Sequence, residues 1–316
     1  MTEIFDNWPE QINQPLWLTI GNFDGMHLGH QALLVSLREY AQSGQAKSAL
    51  ITFWPHPRVF LQQITSPFYL TTKAEKTALL EKSSVDYAIS LPFTYELAGL
   101  SPQDFFAELT KHLHIQGMLV GEDFTLGRNR VGTSEVIRDL CALHGIRLEI
   151  INPFCLDGLA VSSGRVRDAL DGGQVQETLR LLGRPYSVTG NVVEGKHLGS
   201  KLGFPTANLV VDAQKILPKF GVYATIVRFN GECHMGVTSV GVRPTFETTN
   251  KPNVETLLLD FDGNIYHESL KVEFIHHLRG EIKFGNVQDL IAQIELDKVQ
   301  ARRMLAHESF SESLPA

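Results

Sequence analysis

The hydrophobic pattern of this 316-residue chain changes character near residue 184, and that change limits the folds open to it more than any single motif. From Leu16 to about Gly183, short apolar runs alternate with stretches of helical periodicity. Runs at residues 16–21, 48–53, 86–91, 117–120 and 147–151 predict strands. Between them lie helix starts: Thr72 and Glu75 as a capping pair, Ser101 ahead of Pro102, and a helix from His27 that stops at Gly44. This alternation predicts a parallel sheet covered on both faces, with ligands at the carboxyl ends of the strands. After Gly183-Arg184-Pro185-Tyr186, strand-like runs follow each other directly, at 186–193, 207–211, 222–229, 232–239, 254–261 and 265–274. Asn230-Gly231 and Asp262-Gly263 predict two type I′ hairpins, and six such strands favour a small closed antiparallel barrel. A last helix is predicted from Asn286 to about His307. The expected fold is α/β, with a parallel-sheet domain at 1–183 and a six-stranded barrel with a C-terminal helix at 184–316.

Charge excludes one class of partner. Lys and Arg number 28 against 35 Asp and Glu, and both halves are acidic, with 14 against 20 up to residue 183 and 14 against 15 beyond it. A basic footprint for nucleic acid is therefore missing from either half, and phosphate-handling chemistry must be local. Cys141, Cys155 and Cys233 form no zinc-type spacing and read as unpaired thiols in a reducing compartment. No run of about 18 apolar residues occurs, and the acidic N-terminus lacks a basic leader, so the expected setting is cytoplasmic, with small-molecule partners and no membrane.

Gly21-Asn22-Phe23-Asp24-Gly25-Met26-His27-Leu28-Gly29-His30 runs from a predicted strand into a predicted helix. Two histidines three apart share a helix face, and the first-turn N–H groups with the helix dipole attract anions. Gly29 removes a side chain where a phosphate could approach, and imidazoles can donate to charge developing on phosphorus. His112-x-His114, expected on a helix, and His276-His277 lack chelating geometry and read as non-functional.

The segment from Gly21 to His30 resembles the nucleotidylyltransferase signature, and its flanks resemble the FMN adenylyltransferase module of bacterial bifunctional riboflavin kinase/FAD synthetases. Thr52-Phe53-x-Pro55-His56-Pro57 is similar to that module's flavin-side loop. Gly121-x-Asp123-Phe124-x-x-Gly127 is similar to its glycine-aspartate-phenylalanine segment, with Leu126 in place of the usual aromatic. Val161-Ser162-Ser163-Gly164-Arg165-Val166-Arg167 resembles the second ATP motif, with Gly164 where a threonine hydroxyl is usual. The resemblance implies a Rossmann-like domain in which His27 and His30 are catalytic. It further implies that Asn22, Asp24, Gly29, Ser162, Ser163 and Arg167 bind ATP, and that Pro55, Pro57, Asp123 and Phe124 bind FMN.

In the second half, Gly190-x-x-x-x-Gly195-Lys196-His197 fails as a P-loop, because His197 replaces the metal-binding hydroxyl and no helix can follow. Gly199-Ser200-Lys201-x-x-Gly203-Phe204-Pro205-Thr206-Ala207-Asn208 instead resembles the riboflavin kinase nucleotide loop with its Pro-Thr-Ala-Asn motif. Thr206 and Asn208, two apart on an extended strand, turn both oxygens to one side, as Mg²⁺ bridging phosphates requires. Glu255 on a strand beside Leu257 and Leu259 is expected to face inward, where burial would raise its pKa toward that of a base. Gly221-Val222-Tyr223, Gly241-Val242-Arg243-Pro244-Thr245-Phe246, Val254-Glu255-Thr256 and Leu278-Arg279-x-Glu281-x-Lys283-Phe284 also fit that family. The resemblance implies Glu255 as the base for the riboflavin 5′-hydroxyl, ATP on Gly199, Ser200, Lys201 and Gly203, and metal on Thr206 and Asn208. Arg279 would contact the flavin.

The function expected is therefore two-step: riboflavin to FMN with ATP and Mg²⁺ in the barrel, then FMN to FAD with a second ATP in the sheet domain. Three alternatives stand beside it at this stage: a single-activity enzyme with one module kept as scaffold, another nucleotidylyltransferase or synthetase relative, and a flavin-sensing barrel.

Overall fold

The computed structural model describes residues 1–122, 124–127, 131–195, 202–242 and 252–306, and divides into two compact units, Met1–Ser163 and Gly164–Ala316. In the first, six strands are β1 (Glu3–Phe5), β2 (Ile12–Ile20), β3 (Lys47–Trp54), β4 (Tyr87–Pro92), β5 (Leu113–Gly121) and β6 (Arg147–Ile151). All pair in parallel, in the order β1-β4-β3-β2-β5-β6. The chain works outward from β2 through β3 to β4, then returns to place β5 on the other side of β2. The neighbouring carboxyl ends of β2 and β5 are thus the switch point where such sheets bind ligands. β1 lay outside the expected strands, because three residues carry too short a pattern to show periodicity.

The crossovers are α1 (Leu28–Ser43), α2 (Pro57–Gln62), α3 (Lys73–Glu81), α4 (Tyr95–Gly99), α5 (Pro102–His112) and α6 (Ser134–Leu143). Alternation along β2 feeds two apolar layers: Leu16, Leu18 and Ile20 pack with Phe105, Phe106 and Leu109 of α5 and Ile137 of α6, while Trp17 packs with Leu34 and Leu37 of α1. Helices therefore cover both faces. The capping box of Thr72 and Glu75 forms as expected, as does the Ser101 cap. A short hairpin, β7 (Cys155–Leu156) with β8 (Leu159–Ala160), leads to Val161.

The second unit carries α7 (Ser163–Asp171) from Gly164 onward, and α8 (Val175–Leu182), which ends on left-handed Gly183. Its barrel consists of β9 (Tyr186–Val193), β10 (Ala207–Val211), β11 (Gly221–Phe229), β12 (Glu232–Val242), β13 (Pro252–Leu258) and β14 (Ser269–Arg279). They close antiparallel in the order β10-β13-β12-β11-β14-β9. α8 packs on β14 and β9, so by packing it goes with the barrel, whereas the sequence pattern changes after it. The last helix, α9 (Val287–Leu305), is capped by Asn286 and lays Ala301 and Leu305 against Val222, Ala224, Val237 and Leu257.

One expected hairpin forms and the other does not. Asn230 and Gly231 both take left-handed φ, 48° and 78°, joining β11 to β12. Asp262-Gly263 falls between β13 and β14, which are not neighbours in the barrel, and the left-handed residues there are Asp260 and His267 instead. The dipeptide is part of a crossing connection. The expectation for His112 and His114 also needs correction: His112 ends α5, and His114 lies on β5. Their Nδ1 atoms pair with the carbonyls of Pro9 and Asn13 at 2.8 and 3.0 Å, pinning the lead into β2.

Candidate active sites

The loop from Asn22 to Met26 wraps tightly after β2. Phe23, Gly25 and Met26 all have positive φ, and the Phe23 and Met26 side chains are buried, so packing holds a backbone that is unfavourable by itself. A side chain on Gly25 would reach 2.8 Å from Leu70. The loop ends at His27, the N-cap of α1, whose Nδ1 accepts from His30 N at 3.3 Å. The two imidazoles stack with centroids 3.7 Å apart, and His30 also meets Phe23 at 5.0 Å. A Cβ at Gly29 would come within 3.1 Å of the His27 ring and of Val161 O. Glycine thus spares both neighbours a small displacement.

Asp24 is expected among the ATP ligands, and its buried carboxylate is held by the protein. Leu70 N, Thr71 N and Thr71 Oγ1 donate to it between 3.1 and 3.3 Å, and Gly25 N donates to Thr71 Oγ1 at 3.2 Å. The Asp24 carbonyl accepts from Ser163 Oγ at 2.8 Å, which brings the second nucleotide motif to the first. Ser162 is exposed beside it. Arg167 lies on α7, in the second compact unit. Asn22 presents its carbonyl to Thr52 Oγ1 at 3.0 Å and to Lys76 Nζ at 2.6 Å.

The flavin-side loop is tied to the same segment. His56 caps α2, with Pro57 in its first turn, and His56 N donates to Tyr69 Oη at 3.2 Å. Tyr69 in turn stacks on Trp54, the residue before Pro55, at 4.5 Å. Phe124 packs partly buried on the α5 side of the sheet, while Asp123 lies outside the described residues. Sequence reading passed over Tyr69, Thr71 and Lys76, which connect the two loops. Lys76 had one legible signal: it sits four residues before the buried Leu80, on the same face of α3.

In the barrel, Asn208 of β10 stands directly opposite Glu255 of β13, and Glu255 opposite Ser239 of β12. Directly opposed residues share a face and bring their Cβ atoms to about 4.5–5.5 Å. That face is the outer one. Val254 and Thr256 are the inward neighbours, and Thr256 closes a buried hydroxyl chain with Thr238 and Thr225 at 3.0 and 2.8 Å. Glu255 shares its side with Leu257 and Leu259, which pack under α9. The inward placement expected from the sequence is thus corrected: its apolar neighbours belong to the helix-covered surface. Glu255 is half-buried, and Asn253 Nδ2 donates to its Oε1 at 2.6 Å.

Asn208 is buried, and a Cβ on Gly195 would reach 2.2 Å from its Nδ2, so Gly195 is the cradle for this amide. Thr206, two residues earlier, is half-buried and precedes β10. Such hard oxygen donors fit Mg²⁺ that draws its other ligands from phosphate and water. No cluster of three or more His, Cys, Asp or Glu occurs among the described residues. Gly203 is left-handed at φ 85°, whereas Gly199, Ser200 and Lys201 lie outside the described residues. So do Arg243, Pro244, Thr245 and Phe246. Arg279, expected near the flavin, ends β14 and grips Asp297 of α9 through Nε and Nη2 at 2.7–3.1 Å, with its guanidinium over Phe284.

Comparison with known proteins follows the same division. The FAD synthetase family matches residues 9–165, and the riboflavin kinase family matches residues 182–305. A Listeria monocytogenes protein described as a bifunctional riboflavin kinase/FMN adenylyltransferase is 35% identical over 304 residues, 95% of this chain and 95% of its own. Its counterpart from Haemophilus influenzae is 38% identical over 294 residues, covering 92% and 95%. The Escherichia coli protein of that description is 35% identical over 287 residues, covering 90% and 91%. A crystal structure from Streptococcus pneumoniae, described as a macrolide-efflux protein, aligns with a TM-score of 0.84 at 28% identity, over 95% of this chain and 98% of that one. Among the described residues of this chain, no helix is long and apolar enough to cross a membrane. With both modules matched in order and the full-length relatives spanning nearly the whole chain, it belongs to the bifunctional riboflavin kinase/FMN adenylyltransferase family.

Proposed function

We propose how the residues of this chain divide its two activities, phosphorylation of riboflavin to FMN and adenylylation of FMN to FAD, each at the expense of ATP. The division runs between a domain at 1–183 and a domain at 184–316. The observation that carries the reading is the barrel register, which sets Asn208 across from Glu255.

In the barrel, Glu255 takes the proton of the riboflavin 5′-hydroxyl as its oxygen attacks the γ-phosphorus of ATP, and ADP leaves. Thr206 and Asn208 would hold Mg²⁺, which when bound neutralises phosphate charge. Gly199, Ser200, Lys201 and Gly203 form the nucleotide loop. Arg279 acts at the flavin edge from its anchorage on Asp297.

In the sheet domain, a phosphate oxygen of FMN attacks the α-phosphorus of the second ATP, and pyrophosphate leaves. His27, His30 and the first turn of α1 bind the triphosphate and stabilise the charge developing on it. Gly29 leaves clearance beside the His27 ring, which stacks on His30. Asn22, Asp24, Gly29, Ser162, Ser163 and Arg167 bind ATP, and the hydrogen bond from Ser163 to the Asp24 carbonyl joins the two ATP motifs. Pro55, Pro57, Asp123 and Phe124 take the FMN side. The setting is cytoplasmic.

The test is a time course with riboflavin, ATP and Mg²⁺, separating the flavins. FMN is expected before FAD. Glu255→Ala should stop FMN formation and spare conversion of added FMN, with His30→Ala doing the reverse. A folded variant that loses both steps would refute the two-site assignment.

A further inference from the structure

We infer that Lys76 is a positioning residue for adenylyl transfer: by clasping the Asn22 and Phe53 carbonyls it sets the gap between the nucleotide loop and the flavin-side loop. The inference rests on the assignment of those two loops to ATP and FMN.

Lys76 is 6% exposed, within α3. Its Nζ donates to Asn22 O at 2.6 Å and to Phe53 O at 3.2 Å. These carbonyls lie at the carboxyl ends of β2 and β3, adjacent strands on which the two substrates would meet. Thr52 Oγ1 donates to the same Asn22 carbonyl at 3.0 Å, so one acceptor receives a donor from a strand and another from a helix. The N-terminus of α3 is itself fixed to the loop, since Thr71 binds Asp24 and Thr72 opens the helix.

Burial of an amine here is costly, and it pushes the Lys76 pKa down to about 8, opposed by the charge of Asp24. A methionine would fill a similar volume without that cost. What a methionine cannot do is hold two carbonyls from different strands at one point. Transfer of an adenylyl group between two bound substrates depends steeply on such spacing.

Lys76→Met, Thr52→Val and the double variant are assayed for FAD formation from FMN and ATP, with the fluorescence of Trp8, Trp17 and Trp54, all in the sheet domain, as the count of folded enzyme. Lys76→Met is expected to lower kcat for FAD formation by about tenfold to a hundredfold while kinase turnover stays within about twofold. Lys76→Arg, which keeps the charge and several donors, should regain part of that loss. Thr52→Val should cost less, and the double variant no more than Lys76→Met alone, because both act through one carbonyl. A Lys76→Met enzyme with unchanged kcat, or with additive losses in the double variant, would overturn the inference. If Lys76→Met fails to fold, Lys76→Gln decides: a folded Lys76→Gln enzyme with wild-type kcat for FAD formation overturns it as well. Wild-type chain that makes FMN but no FAD would defeat the functional assignment of the domain instead.

Discussion

The two proposed sites would solve the same problem, holding a triphosphate on an acidic chain, with different architecture. In the sheet domain the site is a loop between elements, and its shape depends on a remote segment, residues 69–76, that binds Asp24, Asn22 and the flavin-side loop. In the barrel it is a pair on adjacent strands, Asn208 and Glu255, whose spacing follows from backbone register. A loop site needs a clasp, whereas a register site needs the strands to stay paired and covered. Each nonetheless keeps a glycine beside a key side chain, Gly29 by His27 and Gly195 by Asn208.

The strongest challenge to this contrast is Asp297→Ala. Asp297 is almost fully buried and receives both Arg279 and Gln293 Nε2, tying α9 over the outer face of the barrel. Leaving Arg279 without its carboxylate should cost about 3 kcal/mol of barrel stability. Urea denaturation followed by kinase loss measures it, and FAD formation from FMN should persist at urea concentrations where the kinase has failed. Loss of both together would erase the distinction.

Gly195→Ala should come next. Its Cβ would lie far inside contact distance of Asn208, so the amide must turn away, and kinase kcat should fall by about tenfold or more with FAD formation intact. Gly29→Ala is milder, because 3.1 Å asks the His27 ring and the Val161 carbonyl to yield only slightly; a loss of about threefold in FAD formation is expected. Equal effects of the two alanines in their respective assays would contradict the difference in clearance.

The smallest effect is on pH. The folded-state pKa of Lys76, about 8, lies below its ordinary value of 10.5. Between these values the unfolded chain binds more protons, so this group's contribution to stability rises as pH climbs through 8. The stability of wild type relative to Lys76→Met should therefore increase from about pH 7.5 to about pH 9 in paired denaturation curves. A difference that stays flat breaks the account of Lys76 as a buried charge.

How much of this was readable in the sequence follows from the range of the interactions. The helix start at His27, the Thr72–Glu75 box and the Asn230-Gly231 turn are set by neighbours within a few residues, and each is found where expected, with His27 itself as the cap. Asp262-Gly263 carries the same local signal, yet its flanking strands pair elsewhere, since a flexible dipeptide reports permission to turn and says nothing of which strands meet. Glu255 kept its alternation with Val254 and Thr256, but two-residue periodicity separates two faces without telling which one is inside; α9 decided that. Lys76 escaped because lysine is ordinarily a surface residue, and its acceptors are backbone carbonyls 54 and 23 positions away.

The hydrogen bond from Ser163 to Asp24 has a consequence for the order in which the protein is made. Its partners are 139 positions apart, and Ser163 closes the first compact unit. A growing chain can complete β2, the histidine turn and α1 early, but the nucleotide loop acquires its last tie only when residue 163 has left the ribosome. Adenylylation competence is thus expected no earlier than about midway through synthesis, after the whole sheet is in place.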